Sequence, residues 1–313
     1  MCKFDLHSRR WKCRSLYMSI PSASWPARLR ARYAQLGRLG EGGMGEVWAA
    51  HDRLLARDVA LKVLRPDRRP DEARLQEEFA LLASLDHPGV VHVLDTGVSD
   101  GVVYMTAELV DGLRLDRYLE TEPPVEEVTG VVWDILEVLA WLHREGVVHA
   151  DIKPANILLE TVSAPRPTPV LIDFGLARVR GGGAVPLGGT LTYMAPELKQ
   201  GRWARPSPRT DLYALGVSLQ LWANTLGEHP MAALVARLAA TDPALRPVNA
   251  DEALADPAFA SVATELPRRL GGRGLTALWG DTVSSLSEAL CAAPGLHLVE
   301  APAADDADAL LTD

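Results

Sequence analysis

Hydrophobic and polar positions change period along the chain. Val59-Ala-Leu-Lys-Val-Leu64 alternates as a strand does. Val90–Leu94 and Val102–Leu109 read as further strands. Between them Leu75, Phe79, Leu82 and Leu85 recur at helical spacing after Pro70 and Asp71, predicting a helix over 71–85. The first 110 residues therefore read as a small sheet with one helix. Beyond them helical periods dominate. Val128, Val131, Ile135, Leu139 and Leu142 form a strong apolar face, with Pro123-Pro124 before it and Gly146 after it. Leu212–Trp222 predicts a buried helix, and residues 232–240 and 249–254 predict two more. Val147–Ala150 and Val170–Asp173 are short apolar segments that each end in a polar group. No internal repeat is visible.

Composition narrows the classes. The chain has 313 residues, 48% of them hydrophobic, which is enough for a sizeable core in one large domain or two lobes. Its net charge of −9 argues against a protein that binds nucleic acid by neutralising phosphates. No run approaches the length of a membrane span, and no signal-peptide core stands near the N-terminus. Cys2, Cys13 and Cys291 match neither a disulfide framework nor a zinc pattern. A soluble, cytoplasmic protein is expected.

Residues 1–34 hold eight basic residues and one acid, leaving −16 for residues 35–313. This segment is read as a basic extension. It is either a disordered tail or, in part, a consequence of Met18 being the true start. The tail 299–313 is acidic and Ala-rich. Only five of the 32 basic residues are lysine (Lys3, Lys12, Lys62, Lys153 and Lys199). Asparagine occurs only at Asn156, Asn224 and Asn249. Such scarcity makes the position of each one informative.

Three segments carry chemistry. Gly40-Glu41-Gly42-Gly43-Met44-Gly45-Glu46-Val47 is a glycine-rich run of the kind that lets backbone N–H groups approach a phosphate. A dinucleotide site has similar spacing but leads into a helix; here a strand-like segment follows, favouring a loop between two strands. Lys62 sits in an apolar strand, where a charge is costly unless paired or on an edge. His149-Ala150-Asp151-Ile152-Lys153-Pro154-Ala155-Asn156 brings acid, cation and amide together, and Asp173-Phe174-Gly175 closes another apolar segment.

In this order, with Gly189–Glu197 and Asp211 further on, these signals resemble the eukaryotic-like serine/threonine protein kinases of bacteria, over roughly residues 36–257. The resemblance implies an α+β, bilobal fold with a small β-rich N-lobe and a mostly helical C-lobe. It divides the chain into the extension 1–34, an N-lobe at 35–112, a C-lobe at 113–257 and a C-terminal extension at 258–313. It implies ATP and Mg²⁺ as cofactors and a protein Ser/Thr hydroxyl as acceptor.

Roles follow residue by residue from the resemblance. Gly40, Glu41, Gly42, Gly43 and Gly45 would cover the phosphates. Lys62 would hold the α- and β-phosphates, steadied by Glu77 or Glu78, of which the spacing to His87-Pro88 favours Glu78. Val47, Ala60 and Leu158 would sandwich the adenine, with Glu108 and Val110 offering backbone groups at the hinge and Ala107 guarding the pocket behind. Asp173 and Asn156 would bind metal. Asp151 would orient the acceptor hydroxyl, Lys153 would contact the γ-phosphate, and Thr190 would orient both. Glu197 and Arg246 would form a buried ion pair, Asp211 would hold the catalytic loop, and His149 would pack beneath the site.

Two departures stand out. Ala150 replaces the arginine that in the family pairs with an activation-segment phosphate, and residues 174–189 contain no Ser, Thr or Tyr. Activation-segment phosphorylation is therefore not expected to be the switch. Only 31 residues separate Asp211 from Asp242, too few for the usual further helix. A pseudokinase scaffold and a small-molecule phosphotransferase are the competing readings. The first is opposed by the presence of Lys62, Asp151, Asn156 and Asp173. The second is opposed by Ala195-Pro196-Glu197, Asp211 and Arg246.

Overall fold

The structure, a computed structural model, describes residues 3–5, 10–12, 25–41, 45–64, 72–160, 166–179, 185–186, 190–199 and 203–260. The chain divides into units Met1–Val262 and Ala263–Asp313. The second unit, with the acidic tail, lies outside the described residues.

In chain order the elements are β1 (Lys3–Asp5), β2 (Arg10–Lys12), α1 (Ala27–Arg32), β3 (Tyr33–Glu41), β4 (Gly45–Asp52), β5 (Arg57–Leu64), α2 (Glu72–Ala83), β6 (Val93–Ser99) and β7 (Val102–Glu108). Then follow β8 (Gly112–Arg114), α3 (Leu115–Leu119), α4 (Val125–Arg144), β9 (Val147–Val148), β10 (Ile157–Glu160), β11 (Thr168–Leu171), β12 (Arg178–Val179) and β13 (Val185–Pro186). The last are α5 (Pro196–Lys199), β14 (Trp203–Ala204), α6 (Pro208–Ala223), α7 (Pro230–Leu238) and α8 (Ala250–Leu254). A β-rich part followed by a helical part makes the α+β, two-lobed arrangement expected.

The N-terminal lobe is an antiparallel sheet in the order β3-β4-β5-β7-β6. Side chains alternate across it. Val59, Leu61 and Val63 share one face, while Ala60, Lys62 and Leu64 share the other. The second face receives α2 through Leu75, packed with Leu64, Val103 and Met105. The first face is covered by α1, with Trp25, Leu29 and Tyr33 packed on Trp48, Leu61 and Val102. Residues 25–34, read above as part of a basic extension, thus belong to the folded lobe. Trp25, Leu29 and Tyr33 recur every four residues and bury one stripe, while Arg28 and Arg30 stay outside. Arg53 ties the end of α1 down by donating to the carbonyls of Arg30 and Ala31 at 2.8 Å each.

The expected strand at Val90–Leu94 is displaced: β6 begins at Val93 and runs to Ser99. Val90 instead bridges to Leu171, and the Val91 N–H donates to the Leu171 carbonyl at 3.0 Å. The connection after Pro88-Gly89 is therefore stitched to the C-lobe and cannot join the sheet.

The C-lobe core is built on α4, whose Val128, Val131, Ile135, Leu139 and Leu142 are fully buried. Gly146, at φ 75°, ends this helix with the left-handed turn that glycine adopts cheaply. α6 runs longer than its apolar stretch, because Ser207 and Thr210 close a capping box at its start. α7 follows after six residues, and those residues contain no helix. Gly216 lets α6 and α7 touch: a Cβ there would lie 2.6 Å from the Ala239 nitrogen. Packing extends past residue 257, since Phe259 is buried edge-on against Trp133. Among the described residues no helix is long and apolar enough to cross a membrane.

Candidate active site

The glycine-rich run is the turn between β3 and β4, as its strand-like continuation predicts. Gly40, Glu41 and Gly45 are placed; Gly42 and Gly43 lie outside the described residues. Gly45 must be glycine, because a Cβ would stand 2.1 Å from the Val63 carbonyl oxygen. Val47 pairs with Lys62 across β4 and β5, and Ala60 pairs with Ala107 across β5 and β7. Val47, Ala60 and Lys62 therefore share one face of the sheet, and they are half-buried, as is Leu158 on β10. Glu108 and Val110 lie on the connection between lobes.

Lys62 is paired twice. Its Nζ donates to Glu78 Oε1 and Oε2 at 2.9 and 2.7 Å and to Asp173 Oδ1 at 3.2 Å. Glu78, not Glu77, is the partner, and it is buried. Burial alone would lower the lysine's pKa, but the charges of Asp173 and Glu78 outweigh it and hold the ammonium above its ordinary value. Burial pushes Asp173 the other way, yet Lys62, with Lys153 and His149, keeps its carboxylate below the ordinary range. Asp173 sits at φ 62° with its side chain 42% exposed. It is therefore anchored by Lys62 and still open to a ligand.

The catalytic-loop candidates converge on Asp151. Lys153 Nζ donates to Asp151 Oδ2 at 2.6 Å and reaches Thr190 Oγ1 at 3.4 Å. Asn156 Nδ2 donates to the Asp151 carbonyl at 2.9 Å and to its Oδ2 at 3.0 Å. The Asn156 carbonyl accepts from the Ile172 N–H at 3.0 Å, which ties this loop to the segment carrying Asp173. Asp151, Asn156 and Asp173 offer hard oxygen donors, with Lys62 and Lys153 beside them as cations. That donor set fits a magnesium ion holding phosphates.

Beneath the site, Asp211 organises the loop. Its two carboxylate oxygens accept the N–H of His149 at 2.9 Å and of Ala150 at 2.8 Å. His143, which the sequence reading missed, completes the arrangement with Nε2 3.1 Å from the same carboxylate. It lies on the apolar stripe of α4, and a histidine on such a stripe was the available signal. His149 is packed, with its ring 4.6 Å from that of Phe174 and Leu82 in the same core. Its Nδ1 accepts from the Asp151 N–H at 3.3 Å, so Nε2 carries the proton and donates to the Ile172 carbonyl. Burial holds it below the ordinary imidazole range.

Glu197 and Arg246 pair bidentately at 2.7 and 3.0 Å. Arg246 also donates to the Ala240, Arg209 and Thr241 carbonyls and lies over the Tyr213 ring. A cavity of about 20 Å³ beside Ala150, Asp151, Thr190 and Tyr193 has room for a single water.

Comparison with known proteins agrees with this geometry. The protein kinase domain family matches residues 33–254, so the chain belongs to that family. The serine/threonine-protein kinase PknB of Mycobacterium tuberculosis is 38% identical over 210 residues, covering 62% of this chain and 32% of PknB. PrkC of Bacillus subtilis, a serine/threonine-protein kinase, is 34% identical over 201 residues, covering 61% of this chain and 30% of PrkC. A probable serine/threonine-protein kinase of Streptomyces coelicolor is 37% identical over 209 residues, with shares of 62% and 30%. The chain spans about a third of the length of these curated relatives.

Proposed function

We propose that this chain is a cytoplasmic protein kinase that transfers the γ-phosphoryl group of ATP to Ser or Thr hydroxyls of proteins. The observation that carries the reading is the Asp151 carboxylate, held by Lys153 and Asn156 at 2.6 and 3.0 Å, on the same loop system as the Lys62–Glu78–Asp173 cluster. Phosphoryl transfer asks a protein for position and charge more than for covalent chemistry.

In this reading Lys62 binds the α- and β-phosphates, and Glu78 keeps its ammonium aimed. Asp173 and Asn156 hold Mg²⁺, which neutralises phosphate charge when bound. Val47, Ala60 and Leu158 enclose the adenine, and the backbone of Glu108 and Val110 meets its edge. The turn 40–47 covers the phosphates. Asp151 accepts the hydrogen bond of the acceptor hydroxyl and takes its proton as the oxygen attacks the γ-phosphorus and the bond to the β-phosphate oxygen breaks. Lys153, bonded to Asp151 and in reach of Thr190, sits where negative charge builds on the transferred group.

Ala150 offers no cation to an activation-segment phosphate, and residues 174–189 offer no hydroxyl to carry one. Lys62, Glu78 and Asp173 are already assembled without it. We therefore propose a kinase whose activity does not wait on phosphorylation of that segment. Phosphopeptide mapping after incubation with ATP, Mg²⁺ and a generic protein substrate tests both points. Phosphoserine or phosphothreonine on the substrate is expected, with no activating phosphate between residues 173 and 197.

A further inference from the structure

Beside the interlobe connection, and lined in part by its residues Glu108, Leu109 and Val110, is a cavity of about 170 Å³. Val90, Val91 and Val170 form a buried apolar floor. Glu108 and Glu160 are among its lining residues, Glu108 half exposed and Glu160 half buried. Arg57 approaches Glu108 no nearer than 3.9 Å, outside hydrogen-bond range. Glu160 makes no ion pair among the described residues. His92, also a lining residue, faces Asp86 at 3.6 Å.

An apolar cavity of about 150 Å³ holds a benzene molecule. This one therefore admits one large side chain. Its floor rejects a bare ion, and its carboxylates reject an anion. An apolar stem with a cationic head satisfies both surfaces. Guanidinium suits it better than ammonium, because it is weakly hydrated and its planar fork bonds carboxylates in pairs. We propose that this cavity takes an arginine side chain, flanked by aliphatic residues, from a protein partner. Charge favours the encounter, since residues 35–313 carry −16.

The position carries a consequence. The Glu108 N–H donates to the His92 carbonyl at 2.9 Å, and Val93 pairs with Ala107. An occupant thus touches both the connection between lobes and the loop that follows α2. If the candidate active site binds nucleotide as proposed, occupancy and nucleotide affinity are reciprocally coupled. That consequence rests on the functional reading; the binding itself does not.

The full chain, labelled with ¹⁵N, is titrated with N-acetyl-Leu-Arg-Leu-amide and with the same peptide carrying citrulline, which keeps the shape and loses the charge. Saturable shifts are expected at the amides of residues 90–92, 108–110 and 160. The citrulline peptide and the Glu160→Gln variant are each expected to bind about tenfold more weakly. Equal binding of the two peptides, shifts confined to the site around Asp151, or no saturable shift overturns the proposal. Shifts at residues 9–14 caused by Glu160→Lys with no peptide present would put the chain's own basic segment in the cavity and overturn a partner's claim to it.

Discussion

The Asp211 carboxylate accepts the backbone N–H of Ala150 at 2.8 Å and holds that residue at φ 63°. A non-glycine residue in this left-handed region is strained by about 1–2 kcal/mol. The next residue, Asp151, is the one whose carboxylate Lys153 and Asn156 hold. Ala150→Gly removes the strain but adds about 0.4–1 kcal/mol of unfolded-chain entropy. The net expectation is a stabilisation of up to about 1.6 kcal/mol. Asp211→Ala leaves two buried N–H groups unpaired and is expected to cost at least about 2 kcal/mol. Denaturant midpoints check both; destabilisation by Ala150→Gly contradicts the strain.

Lys62 and Glu78 separate stability from chemistry. Lys62→Met removes the ion pair that Lys62 makes with the buried Glu78 carboxylate, at a cost of about 3–5 kcal/mol. Adding Glu78→Leu to that variant is expected to recover most of this loss. Phosphotransfer should stay absent in both variants. A double variant no more stable than Lys62→Met would show that the pair does not act as a unit.

Acid sensitivity should come from two histidines. Burial holds His149 below the ordinary imidazole range, and burial with the Arg144 charge does the same for His87. The unfolded chain takes up protons near pH 6.5 while the folded one resists. Stability is therefore full above that pH and falls as the pH drops through it, by up to about 1.4 kcal/mol per unit and per histidine. His87→Asn keeps an acceptor for the Gly89 N–H and removes one titration. Its unfolding free energy between pH 7.5 and 5.5 should fall with a shallower slope than in the wild type.

Arg246 is expected to be a strong determinant of C-lobe stability. Its side chain is fully buried, pairs with Glu197, and satisfies three carbonyls. Arg246→Ala should cost about 3–5 kcal/mol, and Arg246→Lys should recover only part, because an ammonium cannot reproduce the fork. Thermal unfolding checks the order of the three proteins.

Much of the site was legible because kinase chemistry is encoded in short runs. Lys62 and Asp173 come from different lobes, yet each is marked by its own apolar strand-like segment. Glu78 needed only a count to His87-Pro88. What escaped was tertiary. α1 is six residues long, and its Leu29, with Trp25 and Tyr33 flanking it, is hidden among arginines that drew attention to charge. β6 contains Asp95, Thr96, Gly97 and Ser99 and is mostly half-buried, so it lacks the alternation that marks β5. His143 touches Asp211 across 68 positions, which no local pattern reports.

The most direct test of the central claim is phosphotransfer by Asp151→Asn compared with wild type under single-turnover conditions, with nucleotide affinity measured on both. The wild type should transfer phosphate from ATP to a protein Ser or Thr. The variant should bind nucleotide equally well and transfer about 10²–10⁴-fold more slowly. A wild type that binds no nucleotide, or a variant that transfers as fast as the wild type, would contradict the account.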